Sequence, residues 1–323
     1  MDPLAAINEL SDVNAAAVLT KEGKRVVLLG DIHTPYKGKT CKKCAGGCFT
    51  VKRLVGALKT FHEKAGTDFD VFAEFHAPSI DRKNPAEMQK WVAEVPARKP
   101  LILSTMRQEY FADAYQHDRK PGARFHYVDV RSTPAFQKKG IMPFLWLYAR
   151  QHPEDSDPCT RNYFNMFQLI YPKKEKLNDA IADLCWGAKD PANIVSKQYH
   201  KLAPADRRKV KSFFSVYMKS IQSTFSFQKQ IEDYFLQITA LPVDFYAICR
   251  FIRFFHRQPA GSTSLFLAGV AHTAVIDSFL KQWGCEVLFD NHPAKDPYAD
   301  KLVERVLKNV KKDRKCFRIT RKI

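Results

Sequence analysis

The chain has 323 residues, of which 45% are hydrophobic and 12% aromatic, and its 52 lysines and arginines against 34 acidic residues give a formal net charge of +18. That length suits one large domain, or a domain with a sizeable insertion, around a buried core. No apolar run approaches the roughly 18–20 residues of a membrane-spanning helix, and Met1-Asp-Pro-Leu4 lacks the basic-then-apolar start of a secretory signal.

An intracellular, cytoplasmic protein is therefore expected, with its eight cysteines as thiols or metal ligands rather than disulfides. The positive excess favours contact with polyanions such as nucleic acid, an anionic membrane surface or a phosphorylated substrate. The basic, aromatic-rich character would also suit a large DNA virus, with virion or host cytoplasm as the setting.

In chain order, residues 3–17 read as a short helix rich in Ala and Leu, followed by a turn at Gly23. Arg25-Val-Val-Leu-Leu-Gly30 is an apolar, β-branched run closed by glycine, which predicts a buried strand ending in a tight turn. A loop follows with Cys41, Cys44 and Cys48. Their spacing would allow zinc with His62 or His33 as fourth ligand, but the second Cys/His pair of a usual structural site is missing, which favours reduced thiols. Helices are predicted over 50–64, from the Asn84-Pro85 start to Trp91, and over 104–115, with a second strand beginning near Phe69.

From 133 to 258 the chain turns long, aromatic and helical in period, and this predicts a helical insertion that caps the strand ends. A further strand over 264–272, a helix over 273–283 with Gly284 at its C-terminal end, and a last strand over 285–292 complete the unit. The predicted organisation is thus an α/β core from 1–132 and 259–307, with a mostly parallel sheet and flanking helices. The 133–258 insertion and a basic C-terminal tail over 308–323 complete it. The tail is expected to raise affinity for polyanions without carrying chemistry.

Five predicted strands end in groups that can bind or move protons: Asp31 and His33, Glu74 and His76, Asp129 and Arg131, Gly269 and His272, and Asp290 and His292. The opposite ends do not carry such a set. Ligands of open α/β sheets bind outside the carboxyl ends of the strands, so one polar site on that rim is expected.

Gly30-Asp-Ile-His33 and Gly269-Val-Ala-His272, with Glu74 between them, resemble the superfamily of Tiki proteases, TraB/PrgY proteins, ChaN-like haem-binding proteins and erythromycin esterases. The resemblance covers the five strands and leaves the middle helices unmatched. It implies His33, Glu74 and His272 as central residues of a hydrolase of ester or peptide bonds. Asp129 and Arg131 are similar to the Asp-x-Arg of some esterase-like members. Asp31, His76 and His292 have no assigned counterpart, although Asp31 and His76 would extend a metal-ligand set.

Two imidazoles and a carboxylate can hold a divalent ion such as zinc, manganese or iron, which lowers the pKa of bound water and polarises a carbonyl or phosphoryl oxygen. Without metal, His33 would act as general base, oriented by Glu74, with Arg131 stabilising the oxyanion. The Asp31-x-His33 start also resembles a calcineurin-like metallophosphoesterase, but no second Gly-Asp follows, and Ala271-His-Thr-Ala lacks that family's second histidine. A third reading is a catalytically inactive hydrolase-like domain that binds nucleic acid or another polyanion.

Overall fold

The computed structural model describes residues 9–10, 15–31, 69–76, 123–141, 167–227, 230–290 and 317–318. The loop cysteines, the helices predicted over 50–64, 84–91 and 104–115, His33, His292 and most of the basic tail lie outside them. The side chains of Asp31 and His76 do too.

The strands are β1 (Glu9–Leu10), β2 (Ala15–Lys21), β3 (Lys24–Asp31), β4 (Phe69–His76), β5 (Ala123–Asp129), β6 (Thr263–Gly269), β7 (Glu286–Asp290) and β8 (Phe317–Arg318). Six form one sheet in the order β5-β4-β6-β3-β2-β7, while β1 and β8 pair separately. Neighbours β3, β6 and β4 run parallel; β2 is antiparallel to β3, and β7 antiparallel to β2. Thus β3, β4, β6 and β7 share one direction and β2 opposes them, giving the α/β fold with a mostly parallel, mixed sheet.

Burial explains which residues form these strands. Val26, Leu28, Leu29 and the whole of Leu265–Ala268 are almost completely inaccessible, as in parallel strands covered on both faces. The hairpin between β2 and β3 is closed by Glu22 and Gly23, with φ of 52° and 72°. A two-residue turn with positive φ at both positions matches the twist of the flanking strands.

This hairpin corrects the expectation of a helix reaching Ala17. Ala15, Ala16 and Ala17 lie in β2 and are fully buried, paired in register with Gly30, Leu29 and Leu28. Alanine favours helix intrinsically, but that preference is worth only tenths of a kcal/mol per residue against most others. The packing of a doubly covered strand outweighs it.

The helices are α1 (Pro134–Lys138), α2 (Lys174–Trp186), α3 (Ile194–Tyr199), α4 (Pro204–Thr224), α5 (Ile231–Arg257) and α6 (Val270–Gln282). The chain divides into two compact units: Met1–Tyr127 with Arg257–Pro297 and Arg305–Ile323, and Val128–His256 with Tyr298–Glu304. Helices α1 to α4 belong to the second unit, as does α5 up to His256.

The second unit has an aromatic core centred on Phe245 of α5, whose ring lies 5.0 Å from that of Phe214 and 5.5 Å from that of Tyr199. Asn193 sets the start of α3. Its Oδ1 accepts the N–H groups of Val195 and Ser196, and its amide donates to the Leu184 carbonyl at 2.8 Å. The stretch Asp233–Arg257 of α5 is long and apolar enough to cross a membrane by length and composition, contrary to the expectation that no run approaches that length. However, 78% of its apolar 18-residue window is buried in the fold.

Candidate functional site

The centre of the site is the carboxyl end of β6, which lies between β3 and β4. Gly269, its last residue, is in register with Asp31 at the end of β3, and Leu267 with Ala73 of β4. The ends carrying Asp31, Glu74 and Gly269 are therefore brought together by sheet register alone.

Helix α6 begins at once. Gly269 is its N-cap, with φ −56° and ψ 146°, so His272 is the third helical residue. The predicted strand through His272 is corrected here. Val270 and Ala271 carry no turn signal, and the chain passes from strand to helix without a loop.

Glu74 ties this junction together. Its Oε2 accepts the Gly269 N–H at 2.8 Å, and its Oε1 lies 3.1 Å from His272 Nε2. Both side chains are nearly buried, 9% and 8% exposed. Gly269 has no side chain with which to cap α6, and the neighbouring strand supplies a carboxylate instead. A negative group is favoured there by the unpaired N–H groups and by the helix dipole. The same carboxylate fixes the imidazole, a buried orientation that an unheld histidine would lack.

Gly30 permits the helix to start so close to the sheet. A Cβ on Gly30 would stand 2.5 Å from Thr273 Oγ1 and 3.0 Å from Val270 Cα. The glycine in Gly30-x-x-His33 is thus a packing requirement at the β3–α6 contact.

Asp129 and Arg131 hold each other. Arg131 donates from Nε to Asp129 Oδ1 at 2.9 Å and from Nη2 to Oδ2 at 2.8 Å, and its backbone N–H also reaches Oδ1 at 3.2 Å. This bidentate pair engages one edge of the guanidinium. Both residues fall in the second unit, whereas Glu74 and His272 fall in the first.

One part-buried pair was not anticipated. Asp70 Oδ1 lies 2.7 Å from His126 Nε2, and the His126 ring stacks on Phe72 with centroids 4.4 Å apart. Asp70 stands at the amino end of β4, so the expectation that only the carboxyl ends carry such groups needs correction. Its position two residues before Phe72 and four before Glu74 places all three on one face of β4. That alternation was the available signal.

Of the residues proposed to hold a metal, only Glu74 and His272 have described side chains, and their direct contact bears on the donor set. Among the described residues no group of three or more His, Cys, Asp or Glu side chains could hold an ion. Glu74 fits an outer partner that orients a histidine better than a ligand beside it, since its oxygens already meet Gly269 and His272. Comparison with protein-family models, with curated proteins and with solved structures finds no match.

Proposed function

We propose that Glu74 and His272 form the acid–base centre of a hydrolase acting on an ester or peptide bond at the carboxyl edge of the sheet. The observation that carries this reading is the carboxylate–imidazole contact at the β6–α6 junction. With Nε2–H donated to Glu74, the lone pair of His272 resides on Nδ1. That nitrogen would take a proton from water, or hold a divalent ion such as zinc, manganese or iron with His33 as companion ligand.

The test uses the full chain purified without chelator, assayed on nitrophenyl carboxylate esters, a peptide library and a nitrophenyl phosphate, with metal content measured alongside. His272→Ala and Glu74→Gln are expected to lower ester or peptide turnover by about 10²–10⁴-fold while the fold survives. Turnover of the phosphate ester alone would favour the metallophosphoesterase reading. Absence of turnover, or variants as active as the parent, would overturn the proposal.

A second reading, a polyanion-binding domain, is favoured by α4. Its exposed arc carries Arg208, Lys209, Lys211 and Lys219, and its single acid, Asp206, is buried and bonded to His256 at 2.9 Å. Replacing those four by Ser, or deleting 308–323, should weaken retention on duplex DNA. For every phosphate that the variant no longer neutralises, the log–log salt slope should flatten by ~0.9. Unchanged slopes in both variants would dismiss this reading.

A further inference from the structure

A second cluster of ionisable groups lies farther along α6, where the helix meets the edge strand β7. Asp277 is completely buried. Lys281, one turn later, donates from Nζ to Asp277 Oδ2 at 2.5 Å and to Asp290 Oδ2 at 2.6 Å. Asp290 is the last residue of β7 and pairs in register with Ala17 of β2. One ammonium therefore joins a helix carboxylate to a strand carboxylate. Asp277 Oδ1 is buried and has no hydrogen-bond partner among the described residues.

We propose that Asp277, Lys281 and Asp290 are a proton-operated latch that holds β7 against α6, firm while Asp277 carries a proton and looser once it ionises. With Asp277 neutral, the ammonium of Lys281 faces the carboxylate of Asp290 as its opposite charge. Ionisation adds a second carboxylate beside Lys281, in a place where one Asp277 oxygen is buried and meets no donor among the described residues. Glycine, alanine and aliphatic side chains fill the surroundings on the inner strands: Ala15, Ala17 and Leu19 on β2, and Val26, Leu28 and Gly30 on β3, share the face that meets α6. Among the described residues, the other ionisable groups nearby are Cys285 after α6, Lys21 and Glu22 at the end of the hairpin, and Lys24, which pairs with Glu22 at 3.7 Å.

Burial pushes the Asp277 carboxyl up from 3.8 to about 7, with Lys281 opposing and Asp290 adding to the rise. Burial pulls Lys281 down, but the two carboxylates outweigh it and leave it above its ordinary value. The two shifts act in different pH ranges. An acid raised in the folded state holds its proton more tightly there. Stability is then greatest below about 4, declines as pH rises toward 7, and levels off above it. The raised lysine contributes fully at neutral pH and is lost only in the alkaline range.

The experiment is amide exchange on the full chain between pH 5 and 7, corrected for intrinsic rates, comparing the parent with Asp277→Asn over β7 and α6. The opening constant of β7 should rise by roughly fiftyfold across those two units in the parent, at up to tenfold per unit, and by less than about threefold in the variant. Equal pH slopes in the two proteins would overturn the latch. Should the variant fail to fold, carbon-detected titration of the Asp277 carboxyl in the parent decides the matter. A midpoint near neutrality supports the proposal, and one below about 5 refutes it.

Discussion

Gly30→Ala is the sharpest test of how the site is built, because the substituted residue carries no chemistry. The added methyl would meet Thr273 Oγ1 at 2.5 Å and Val270 Cα at 3.0 Å, both in the first turn of α6. Thr273 is fully buried and its hydroxyl bonds the Val270 carbonyl at 3.0 Å, so it has little room to yield. Overpacking of this kind costs about 1–3 kcal/mol. The upper half of that range applies, because one of the two close atoms is backbone. Thr273→Ala removes the hydroxyl and leaves only the Val270 contact, so the double variant should recover about 1 kcal/mol relative to the sum of the single changes. Urea unfolding of the four proteins at constant m measures this coupling. A shifted α6 would also move His272 from Glu74, so turnover should fall more than stability alone explains. A Gly30→Ala protein within about 0.5 kcal/mol of the parent, or strictly additive substitutions, would refute the close-approach argument.

Asn193→Ala should destabilise the second unit by about 1–2 kcal/mol through loss of the α3 cap. Asn193→Asp should be no milder, since it keeps the acceptor for Val195 but sets a buried carboxylate oxygen against the Leu184 carbonyl where the amide donated; urea midpoints for the two variants check the order. Burial pushes the thiols of Cys185 and Cys249 well above their ordinary value and that of Cys285 to about 12. All three should resist a thiol reagent in the native protein at pH 8 and react once it is unfolded, as mass spectrometry would show residue by residue.

What could be read from the sequence depended on whether one local signal outweighed the rest of the fold. The β3 run was legible because a doubly covered strand has to be continuously apolar, and Val26 to Leu29 leave no other period to follow. The end of α6 was legible too. Gly284, with φ 97°, follows the Trp283 cap, and the bonds from Gly284 N–H to Lys281 and from Cys285 N–H to Leu280 close the last turn as a Schellman motif. The Ala15–Ala17 segment was illegible because small side chains in a crowded strand look like a helix until their neighbours are known. The role of Asp70 was illegible because its partner His126 lies 56 positions away.

The order of Gly30, Glu74, Gly269 and His272 was visible, but what the two glycines do was not. Gly30 admits the first turn of α6, and Gly269 offers its N–H to Glu74 as that helix begins. Each therefore helps to set where His272 stands. A Gly-x-x-His pattern in this chain thus specifies a backbone approach as much as an imidazole. The approach requires glycine at position 30, and the imidazole requires Glu74 on the adjacent strand. Substituting Glu74 should accordingly disturb both the start of α6 and the orientation of the ring, whereas substituting His272 should disturb only the ring. The Gly269 amide provides the distinction. Its exchange protection should fall in Glu74→Ala and persist in His272→Ala, and equal loss in both variants would show that the histidine, not the carboxylate, holds the junction.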